Sequence, residues 1–374
     1  MKNIRITNNS DEMIKIAKEL VQINQSKYSD DVIKIIKQSV KSHLLNESDD
    51  EIEKMFWLSI YYYWVYGCTV DEFFYYRLYE KNYAEIKEYV LAHERVLYLQ
   101  QLNREEDAYL LNNKYETYKL FKDYFLRDVV LIKTEDDLSS FLDFSKKHPE
   151  FVVKPVDSGC GHGVHKGSVV NLSDKEIVEY FHSLLVEAGQ NSNKYGRNSQ
   201  KALLLEEIIK QADELSIIHP ASVNGIRIVT LRIDNVVKIY QAWWKIGSGG
   251  QFVTSAVYGT MDAGIDIDTG VVDTPGVTEK LEIREYHPDT GIRIVGYQIP
   301  KWNELIQTVK RMAERLSTIS YVGWDMVLTK KGWCVMEGNF RGDFMWQMYR
   351  NKGCKKEFEN IIGWKLDKEF WWKE

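Results

Sequence analysis

Two carboxylates and an amide fall close together on a predicted β-hairpin near the end of the sequence. Asp325 lies on the first strand, Glu337 and Asn339 lie at the end of the second, and the turn is at Lys330–Gly332. Because strand side chains alternate, Glu337 and Asn339 share one face, and Asp325 approaches them across the hairpin. Carboxylate and amide oxygens suit Mg²⁺ bound jointly with phosphate oxygens. Apolar neighbours argue against a solvated hairpin, so the spacing predicts a magnesium site.

A glycine-rich loop, Asp157–Gly163 (DSGCGHG), joins two predicted strands. Alternating glycines allow backbone amides to approach an anion and point at it together. A Walker A motif is excluded because no Gly-Lys-Ser/Thr and no helix follow, and a Rossmann fingerprint is excluded because a strand comes next. From the loop alone, two interpretations are open. It is either a flap over nucleotide phosphates, with Lys154 before it to neutralise one, or an ordinary glycine turn.

A third segment, LLLEEIIKQADELS, carries Glu207 at the end of an apolar strand and Glu214 in the turn that follows. A carboxylate at the first position could accept a hydrogen bond from an adenine amine, and one at the second could accept from ribose hydroxyls. Taken alone, the pattern is more typical of a strand followed by a capped helix.

The composition indicates a globular protein of two or three domains. The chain has 374 residues, 44% of them apolar, with 49 basic and 55 acidic residues and a net charge of −6. That apolar content can build a core, and the absence of a clustered basic surface argues against nucleic-acid binding. Aromatic residues make up 13% of the chain, so many must be buried in cores.

Cysteine usage and the apolar segments bear on location. The cysteines have no CxxC spacing, which indicates a reduced, cytoplasmic protein without a zinc site or disulfide framework. The N-terminal segment lacks the apolar region of a secretory signal. The longest apolar stretch, residues 55–70, is shorter than the roughly 20 residues of a spanning helix and predicts a buried helix instead. The four cysteines are Cys68, Cys160, Cys334 and Cys354.

Hydrophobic periodicity predicts the elements that position these residues. Residues 1–105 have helical spacing, with a capped helix start at Ser48. Hairpins and helices then mix, which predicts an α+β fold. The predicted strands cover residues 129–132, 151–154, 164–170, 203–208, 225–234, 235–247, 264–272, 291–299, 322–329 and 333–337. Helices are predicted over residues 112–125, 136–147, 173–188 and 302–317, with a polar loop at 189–201.

In order, these pieces resemble the ATP-grasp superfamily over roughly residues 107–345. The set comprises Lys114, Lys154 with the glycine flap, Glu207 with the Ile208–Ile209 hinge, Glu214, Asp325 and Glu337-x-Asn339. More narrowly, four short segments are similar to the sugar-transfer-associated ATP-grasp group, whose members are linked to bacterial capsule and cell-surface polysaccharide assembly. They are residues 224–230 (NGIRIVT), 287–291 (HPDTG), 299–300 (IP) and 323–325 (GWD).

The resemblance implies an ATP-grasp fold, with two α+β subdomains gripping ATP after a helical region. The expected divisions are a helical region at residues 1–105, a catalytic unit at 106–345 and a C-terminal tail at 346–374 that packs on the core. Within the catalytic unit, the flap and nucleotide subdomain would cover about 150–210 and the metal and substrate subdomain 211–345.

The resemblance also implies the reaction. An enzyme of this kind activates a carboxylate as an acyl phosphate, which an amine attacks to form an amide with release of ADP and phosphate. The expected substrates are a small-molecule or saccharide carboxylate and an amine acceptor, and a homodimer is one option for assembly. A ligase of amino acids or peptides and a phosphotransferase acting on a hydroxyl are alternatives. A non-catalytic ATP-binding module is a more distant one.

Site roles follow from the same resemblance. Lys114 and Lys154 would hold the α and β phosphates, and Ser158 with the amides of the flap glycines would cover the β and γ phosphates. Glu207 with the backbone near Ile209 would read adenine, and Glu214 would bind ribose. The metal ligands would hold two Mg²⁺ ions, with Mn²⁺ as a substitute. The flap glycines are Gly159, Gly161 and Gly163, and the metal ligands are Asp325, Glu337 and Asn339.

Two arginines are candidates for clamping the acceptor carboxylate or the transferring phosphoryl group, because a guanidinium offers two parallel donors. They are Arg227 and Arg341. A structural ion pair is an equal alternative for Arg227, whereas Arg341 lies two residues beyond a predicted metal ligand. His287 could act as a base for the amine, although a histidine beside a proline in a turn is more often structural.

The sequence departs from the family pattern in two places. Residues 1–105 are helical where many ATP-grasp enzymes begin with a βαβ domain. The loop at residues 255–264 (SAVYGTMDAG) departs from the DN…GG pattern of the narrower group, although the turn at Ile267–Gly270 is kept. This variation falls where the acceptor is expected, so the acceptor's identity is left open.

Overall fold

The structure of the chain is a computed structural model that describes residues 4–45, 47–159, 161–194, 200–249, 260–342 and 344–366. The chain divides into two compact units. One comprises Met1–Leu102, Lys280–Glu282 and Asp343–Glu374, and the other comprises Asn103–Glu279 and Ile283–Gly342. We call them the helical unit and the sheet unit.

The helices of the chain, in order, are Ser10–Ile23 (α1), Asp30–His43 (α2), Asp49–Tyr66 (α3), Val70–Tyr75 (α4), Tyr83–Ile86 (α5), Ala92–Leu102 (α6), Tyr109–Asn112 (α7), Lys114–Phe125 (α8), Leu138–Lys147 (α9), Asp174–Lys194 (α10), Asp213–Ser216 (α11), Trp302–Glu314 (α12), Trp346–Tyr349 (α13) and Lys355–Ile362 (α14). Short 3₁₀ turns lie at Leu78–Glu80, Glu105–Asp107 and Glu135–Asp137.

The strands are Val129–Ile132 (β1), Glu150–Pro155 (β2), His165–Ser168 (β3), Leu203–Glu207 (β4), Ile226–Ile233 (β5), Val236–Ile246 (β6), Met261–Gly264 (β7), Gly276–Thr278 (β8), Ile283–Arg284 (β9), Tyr321–Thr329 (β10) and Gly332–Asn339 (β11). They form a small sheet in the order β1-β4-β2-β3 and a large sheet in the order β11-β10-β5-β6-β7-β8-β9. The strand pairs in both sheets are antiparallel, which confirms the expected α+β class. The first eight helices precede β1, which confirms the expected helical N-terminal region.

The helical unit is built around α3, which is the apolar stretch expected to be a buried helix. Ser48 caps it by accepting a hydrogen bond from the Glu51 amide, as its sequence indicates. Phe56, Tyr61 and Trp64 of α3 are almost completely buried, so part of the aromatic excess is core packing. Within the described residues, no helix combines the length and apolar character needed to cross a bilayer.

One buried amide joins the last described segment to the rest of the helical unit. Gln347 is fully buried, and its side chain accepts from the Val90 and Cys354 backbone amides and donates to the Val90 carbonyl. Gly353 lies against the same turn, where an added Cβ would come within 2.2 Å of the Glu88 carbonyl oxygen. Residues 344–366 therefore pack inside this unit.

Two predicted strands of the sheet unit are wrong. Residues 264–272 form a turn at Asp266–Gly270, with β7 ending at Gly264 and an isolated bridge between Ile265 and Val272. Residues 291–299 likewise make only isolated bridges. The cause is glycine at positive φ, +73° at Gly270 and +86° at Gly296, which interrupts the alternation that suggested strands.

Other boundaries differ less. α10 continues to Lys194, past its expected end at residue 188, so the polar loop predicted at residues 189–201 begins later, and residues 195–199 lie outside the described part. The strand predicted at residues 164–170 is β3, His165–Ser168. α12 ends at Glu314 rather than at residue 317. Residues 255–259 of the loop with the unusual sequence are also outside the described part.

Candidate functional site

Asp325 lies on β10 of the large sheet, next to the edge strand, where β10 pairs with β5 on one side and with β11 on the other. Its Cα is in register with Arg227 on β5 and with Glu337 on β11. Met336 has no opposite residue, because the register shifts between Asp325 and Met326, and such a bulge bends the strand beside these side chains. The hairpin therefore brings Asp325 and Glu337 together, as its turn position predicts.

Arg227 binds Asp325 with both prongs of its guanidinium. Its Nε lies 2.6 Å from Oδ1 and its Nη2 lies 3.0 Å from Oδ2, while Lys245 Nζ lies 3.3 Å from Oδ1. Burial alone would raise the pKa of the Asp325 carboxyl, but the two cations outweigh burial and lower it to about 2. Gly323 leaves the room for this guanidinium, since an added Cβ would lie 3.3 Å from Arg227 Nη1.

Asn339 and Glu337 complete this part of the site. The Asn339 amide nitrogen donates to the Gly323 carbonyl at 3.0 Å and to Asp325 Oδ2 at 3.3 Å, which leaves its amide oxygen for a cation. Glu337 is half-buried, and its carboxylate has no hydrogen-bond or ion-pair partner among the residues that the structure describes. Two hard oxygen donors are therefore open beside a third that is held by Arg227, a donor set that fits Mg²⁺.

A buried ion cluster occupies the small sheet. Glu206 on β4 accepts from Lys154 Nζ on β2 at 2.8 Å and from Arg127 Nε at 2.9 Å. Burial would raise the pKa of the Glu206 carboxyl, but Arg127 and Lys154 lower it to about 2, so it is a carboxylate at neutral pH. Lys154, predicted as a phosphate ligand, therefore already has a partner of opposite charge.

Lys114 lies close to both the ion cluster of the small sheet and the Glu337 carboxylate of the large sheet. It is the first residue of α8, which Asn113 caps through the amides of Tyr115 and Glu116, and its Nζ donates to the Ser158 carbonyl. Burial lowers the pKa of Lys114, and Lys154 acts in the same direction. Glu337, Glu206 and Asp157 oppose that shift, so their charges lie close to Lys114. The structure thus brings together Lys114, Lys154, Ser158 and Glu337.

The glycine loop folds as two successive turns between β2 and β3. The His162 amide donates to the Gly159 carbonyl at 3.1 Å, and the Val164 amide donates to the Gly161 carbonyl at 3.2 Å. Gly161 and Gly163 have φ of +73° and +74°, in the left-handed region that other residues rarely adopt. The loop therefore depends on glycine at two positions. Cys160 lies outside the described residues.

The predicted adenine and ribose ligands lie at the end of β4 and beyond it. Glu207 is half-buried and accepts from the Asp128 amide at 3.1 Å, and with Asp128 and His148 it forms a cluster whose potential ligand atoms lie within 4.8 Å of one another. Ile209 is half-buried in the segment after β4, and Glu214 is exposed on α11. The structure shows no direct contact between these residues and the lysines.

Arg341 lies on the surface of the sheet unit. Its Nη2 is 2.7 Å from Glu105 Oε2, and both side chains are about half exposed or more, at 48% and 59%. Exposed pairs of this kind are weak, so the guanidinium can exchange Glu105 for another carboxylate. Arg227, in contrast, is tied to Asp325 by two short bonds.

The histidine considered as a base is engaged on both ring nitrogens. His287 is buried, its Nε2 lies 2.7 Å from the Gly247 carbonyl, and its Nδ1 accepts from the Asp289 amide. His219 packs beside it, with ring centroids 5.7 Å apart, and its Nδ1 lies 2.8 Å from Ser222 Oγ. Both histidines therefore hold the segment that follows β6, and His287 offers no free nitrogen to an amine.

We expect His219 to make the stability of the protein fall as the pH is lowered from 7 to 5. Burial, with the neighbouring His287, lowers the pKa of His219, although Asp289 acts in the opposite direction. Below about pH 6.5 the unfolded chain therefore takes up a proton that the folded chain does not, with a limiting slope of about 1.4 kcal/mol per pH unit.

Urea unfolding of His219→Gln between pH 5 and 7 tests this, and the variant should lose part of the slope. His182→Gln is the matched control, because it also removes one imidazole, but at an exposed site outside the pair formed by His219 and His287. An unchanged slope in His219→Gln would contradict the prediction.

The sequence did not single out three charged residues of the site. Glu206 and Lys245 are charges inside apolar strands, a signal that could have been used, because a buried charge needs a partner. Arg127 gives no such signal, since it follows a helix at an ordinary surface-like position.

Comparison with known proteins gives one family and several solved structures. Residues 93–362 match the family model described as sugar-transfer associated ATP-grasp. No curated protein matches the sequence. The structure is similar to D-alanyl-alanine synthetase A from Vibrio cholerae, with 13% identity and a TM-score of 0.40, covering 67% of this chain and 60% of that one.

Two further solved structures are similar at the same level. The D-alanine-D-alanine ligase from Helicobacter pylori has 17% identity and a TM-score of 0.39, with coverage of 71% of this chain and 64% of that one. The N5-carboxyaminoimidazole synthetase from Staphylococcus aureus, complexed with ADP, has 12% identity and a TM-score of 0.42, with coverage of 75% and 60%. The chain therefore spans less than two thirds of the length of each of these proteins.

Proposed function

The chain belongs to the sugar-transfer-associated ATP-grasp family, and from that premise we propose that it is an ATP- and Mg²⁺-dependent carboxylate–amine ligase. ATP-grasp family members are ligases of this class. The observation that carries the proposal is the position of Lys114, whose ammonium lies among Lys154, the start of the glycine loop and the Glu337 carboxylate. A cationic surface for phosphates thus adjoins an acidic surface for metal ions.

Phosphate binding is assigned to the lysines and the loop. Lys114 and Lys154 would neutralise the nucleotide's α and β phosphates, and the loop amides with Ser158 would cover the β and γ phosphates. Phosphoryl transfer requires charge neutralisation and positioning more than a side-chain nucleophile. Closure of the loop would also exclude water from an acyl phosphate, which hydrolyses easily. Glu207, Ile209 and Glu214 remain the proposed adenine and ribose ligands.

Asp325, Glu337 and Asn339 would hold the metal ions. Two bound Mg²⁺ ions would polarise the γ-phosphate and reduce its repulsion of the incoming carboxylate. Arg227 keeps the Asp325 carboxylate oriented through its two bonds, which supports the structural alternative that its sequence left open. Arg341 is the better candidate for the acceptor, because its weak exposed pair with Glu105 can be replaced by a substrate carboxylate.

The reaction proceeds in two balanced steps. The substrate carboxylate oxygen attacks the γ-phosphorus, the bond to the bridging oxygen breaks, and ADP leaves. The amine then attacks the acyl carbon, inorganic phosphate departs with the electron pair of the C–O bond, and the amine loses a proton to give the amide. The family description supports a role in sugar transfer. We therefore infer that the carboxylate substrate is a sugar acid and the amine substrate is an amino acid, which the enzyme joins in surface or capsule polysaccharide assembly.

A hydroxamate screen tests this function. The full chain is incubated with Mg-ATP, uronic acids or amino acids, and hydroxylamine, and ADP and hydroxamate are measured. Carboxylate-dependent ADP release with hydroxamate formation is the expected result, and replacing hydroxylamine with an amino acid should give an amide. A stable phosphorylated product without hydroxamate would overturn the ligase in favour of a phosphotransferase.

We expect Gly163→Ala to raise the KM for MgATP by about fivefold, since a left-handed residue with a Cβ costs about 1 kcal/mol. The strain disfavours the loop conformation and so weakens closure over the nucleotide. Gly363→Ala is the matched control, because Gly363 has a similar positive φ of +80° and an added Cβ meets nothing within 4 Å, but it ends α14 and lies outside the loop. Steady-state kinetics measure both variants, and equal KM values would refute the role of the loop.

A further inference from the structure

Arg127 is a buried arginine that contacts both sheets of the sheet unit. It lies between α8 and β1, and its side chain is only 3% exposed. Its Nε donates to Glu206 on β4 of the small sheet at 2.9 Å, and its Nη1 donates to the Val335 carbonyl on β11 of the large sheet at 2.7 Å. A third bond, 3.0 Å to the Phe125 carbonyl, fixes the guanidinium at the end of α8. One side chain therefore links the two sheets.

Glu206 shares a single oxygen between two cations. Its Oε2 accepts from Arg127 and from Lys154, and only 3% of its side chain is exposed. The charges of Arg127 and Glu206 cancel, so Lys154 is the cation left over in this cluster. If a neutral residue replaced Arg127, Lys154 alone would have to compensate the buried Glu206 carboxylate, and the Lys154 ammonium would be less available to an anion.

The other end of the link reaches the strand of the predicted metal ligands. Val335 precedes Glu337 by two residues on β11, at the point where the register shifts. A guanidinium bound to the Val335 carbonyl and to the partner of Lys154 therefore sets the spacing between Lys154 and Glu337. Phosphoryl transfer is sensitive to such spacing, because a small misplacement of the reacting groups is costly.

We propose that Arg127 and Glu206 are positioning residues for the nucleotide. Arg127 compensates the charge of Glu206, so the Lys154 ammonium is available to a phosphate. Arg127 also holds Lys154 at a fixed distance from the strand that carries Glu337. Neither residue touches the substrates. The inference rests on the proposed function in one respect, namely that Lys154 binds a phosphate of ATP.

The test compares Arg127→Met, Glu206→Gln and the double variant Arg127→Met/Glu206→Gln. MgADP binding is measured by calorimetry alongside kcat and KM. Arg127→Met should weaken MgADP by about tenfold or more, which corresponds to the loss of one charge-assisted interaction. The double variant should recover most of that loss, because Lys154 no longer faces an uncompensated carboxylate. A merely structural role for Arg127 would lower the free energy of unfolding but leave the MgADP affinity of the folded protein unchanged, and urea unfolding of each variant measures that free energy.

Arg315→Met is the matched control. Arg315 also donates to a backbone carbonyl and a carboxylate, those of Leu120 and Asp123, but it is exposed and lies outside this cluster. The Arg315→Met variant should bind MgADP with the affinity of the wild type. Arg127→Lys serves if Arg127→Met does not fold. It keeps the charge but loses the fork, and we expect MgADP binding to weaken by roughly threefold or more.

The outcomes separate this inference from the proposed function. Wild-type protein that does not bind MgADP would overturn the proposed function. Wild-type binding with unchanged affinity in the Arg127 variants, or a double variant no better than Arg127→Met, would overturn only the positioning role.

Discussion

Glu337→Gln is expected to lower kcat by about 10²–10³-fold, the loss that follows removal of one group that stabilises transition-state charge. The Glu337 carboxylate is half-buried at the end of the hairpin, and it has no hydrogen-bond or ion-pair partner in the part of the chain that the structure describes. Gln keeps the shape but removes the negative charge that would face a metal ion. The fold should not depend on this group, so the loss should fall on catalysis alone.

The measurement is ADP release under saturating MgATP, with urea unfolding of the same protein. We expect the free energy of unfolding to stay within about 0.5 kcal/mol of wild type, as for other replacements that break no structural contact. Glu314→Gln is the control, because Glu314 is exposed on the surface of the same unit. Undiminished kcat in Glu337→Gln would refute the metal assignment.

Asp325→Leu should destabilise the protein by about 3–5 kcal/mol, because removing one partner of a buried ion pair leaves the other charge uncompensated. Two cations depend on this carboxylate. Arg227 is almost fully buried and bonds both oxygens, and Lys245 lies 3.3 Å from one of them. Leu also fills the space with an apolar group, so the loss reflects charge rather than a cavity.

A double-mutant cycle separates the ion pair from the rest of the site. Adding Arg227→Met to Asp325→Leu should recover part of the lost stability, since no buried guanidinium is then left without its carboxylate. Urea unfolding measures all four proteins. Lys330→Met and Asp213→Leu form the control cycle, because that ion pair is exposed and 3.9 Å apart and should show little coupling. Additive losses in the Asp325–Arg227 cycle would contradict the geometry.

The hairpin shows what local sequence could predict. The turn at Lys330–Gly332 and the alternation on each side place Asp325 opposite Glu337, and the register has them there. Ser48 likewise caps α3, since a cap needs only residues within one turn. The strand predicted at residues 264–272 is wrong because local alternation alone does not show where a glycine turns the chain. Their apolar alternation is strand-like, but glycine at positive φ turns the chain.

The ion pairs of the site were beyond local reasoning. Arg127 and Glu206 are 79 residues apart in the sequence, and Arg227 and Asp325 are 98 apart. Each pair forms only after distant strands have been placed side by side, so the sequence marks the charges without naming their partners. The sequence therefore left two roles for Arg227 equally open, namely clamping a substrate group and forming a structural ion pair. The metal, nucleotide and acceptor roles of the site residues remain predictions that the variants above test.

The Gln347 amide, which binds both backbone groups of Val90, has a consequence for the order in which the protein can be made. The helical unit begins with Met1–Leu102 but is completed by residues that follow about 240 positions later. At typical rates of synthesis the ribosome takes roughly tens of seconds to cover that interval. During that time the sheet unit can fold, whereas the first helices still lack the later residues that complete the helical unit. A nascent chain arrested before Gln347 should therefore expose aromatic surface to chaperones.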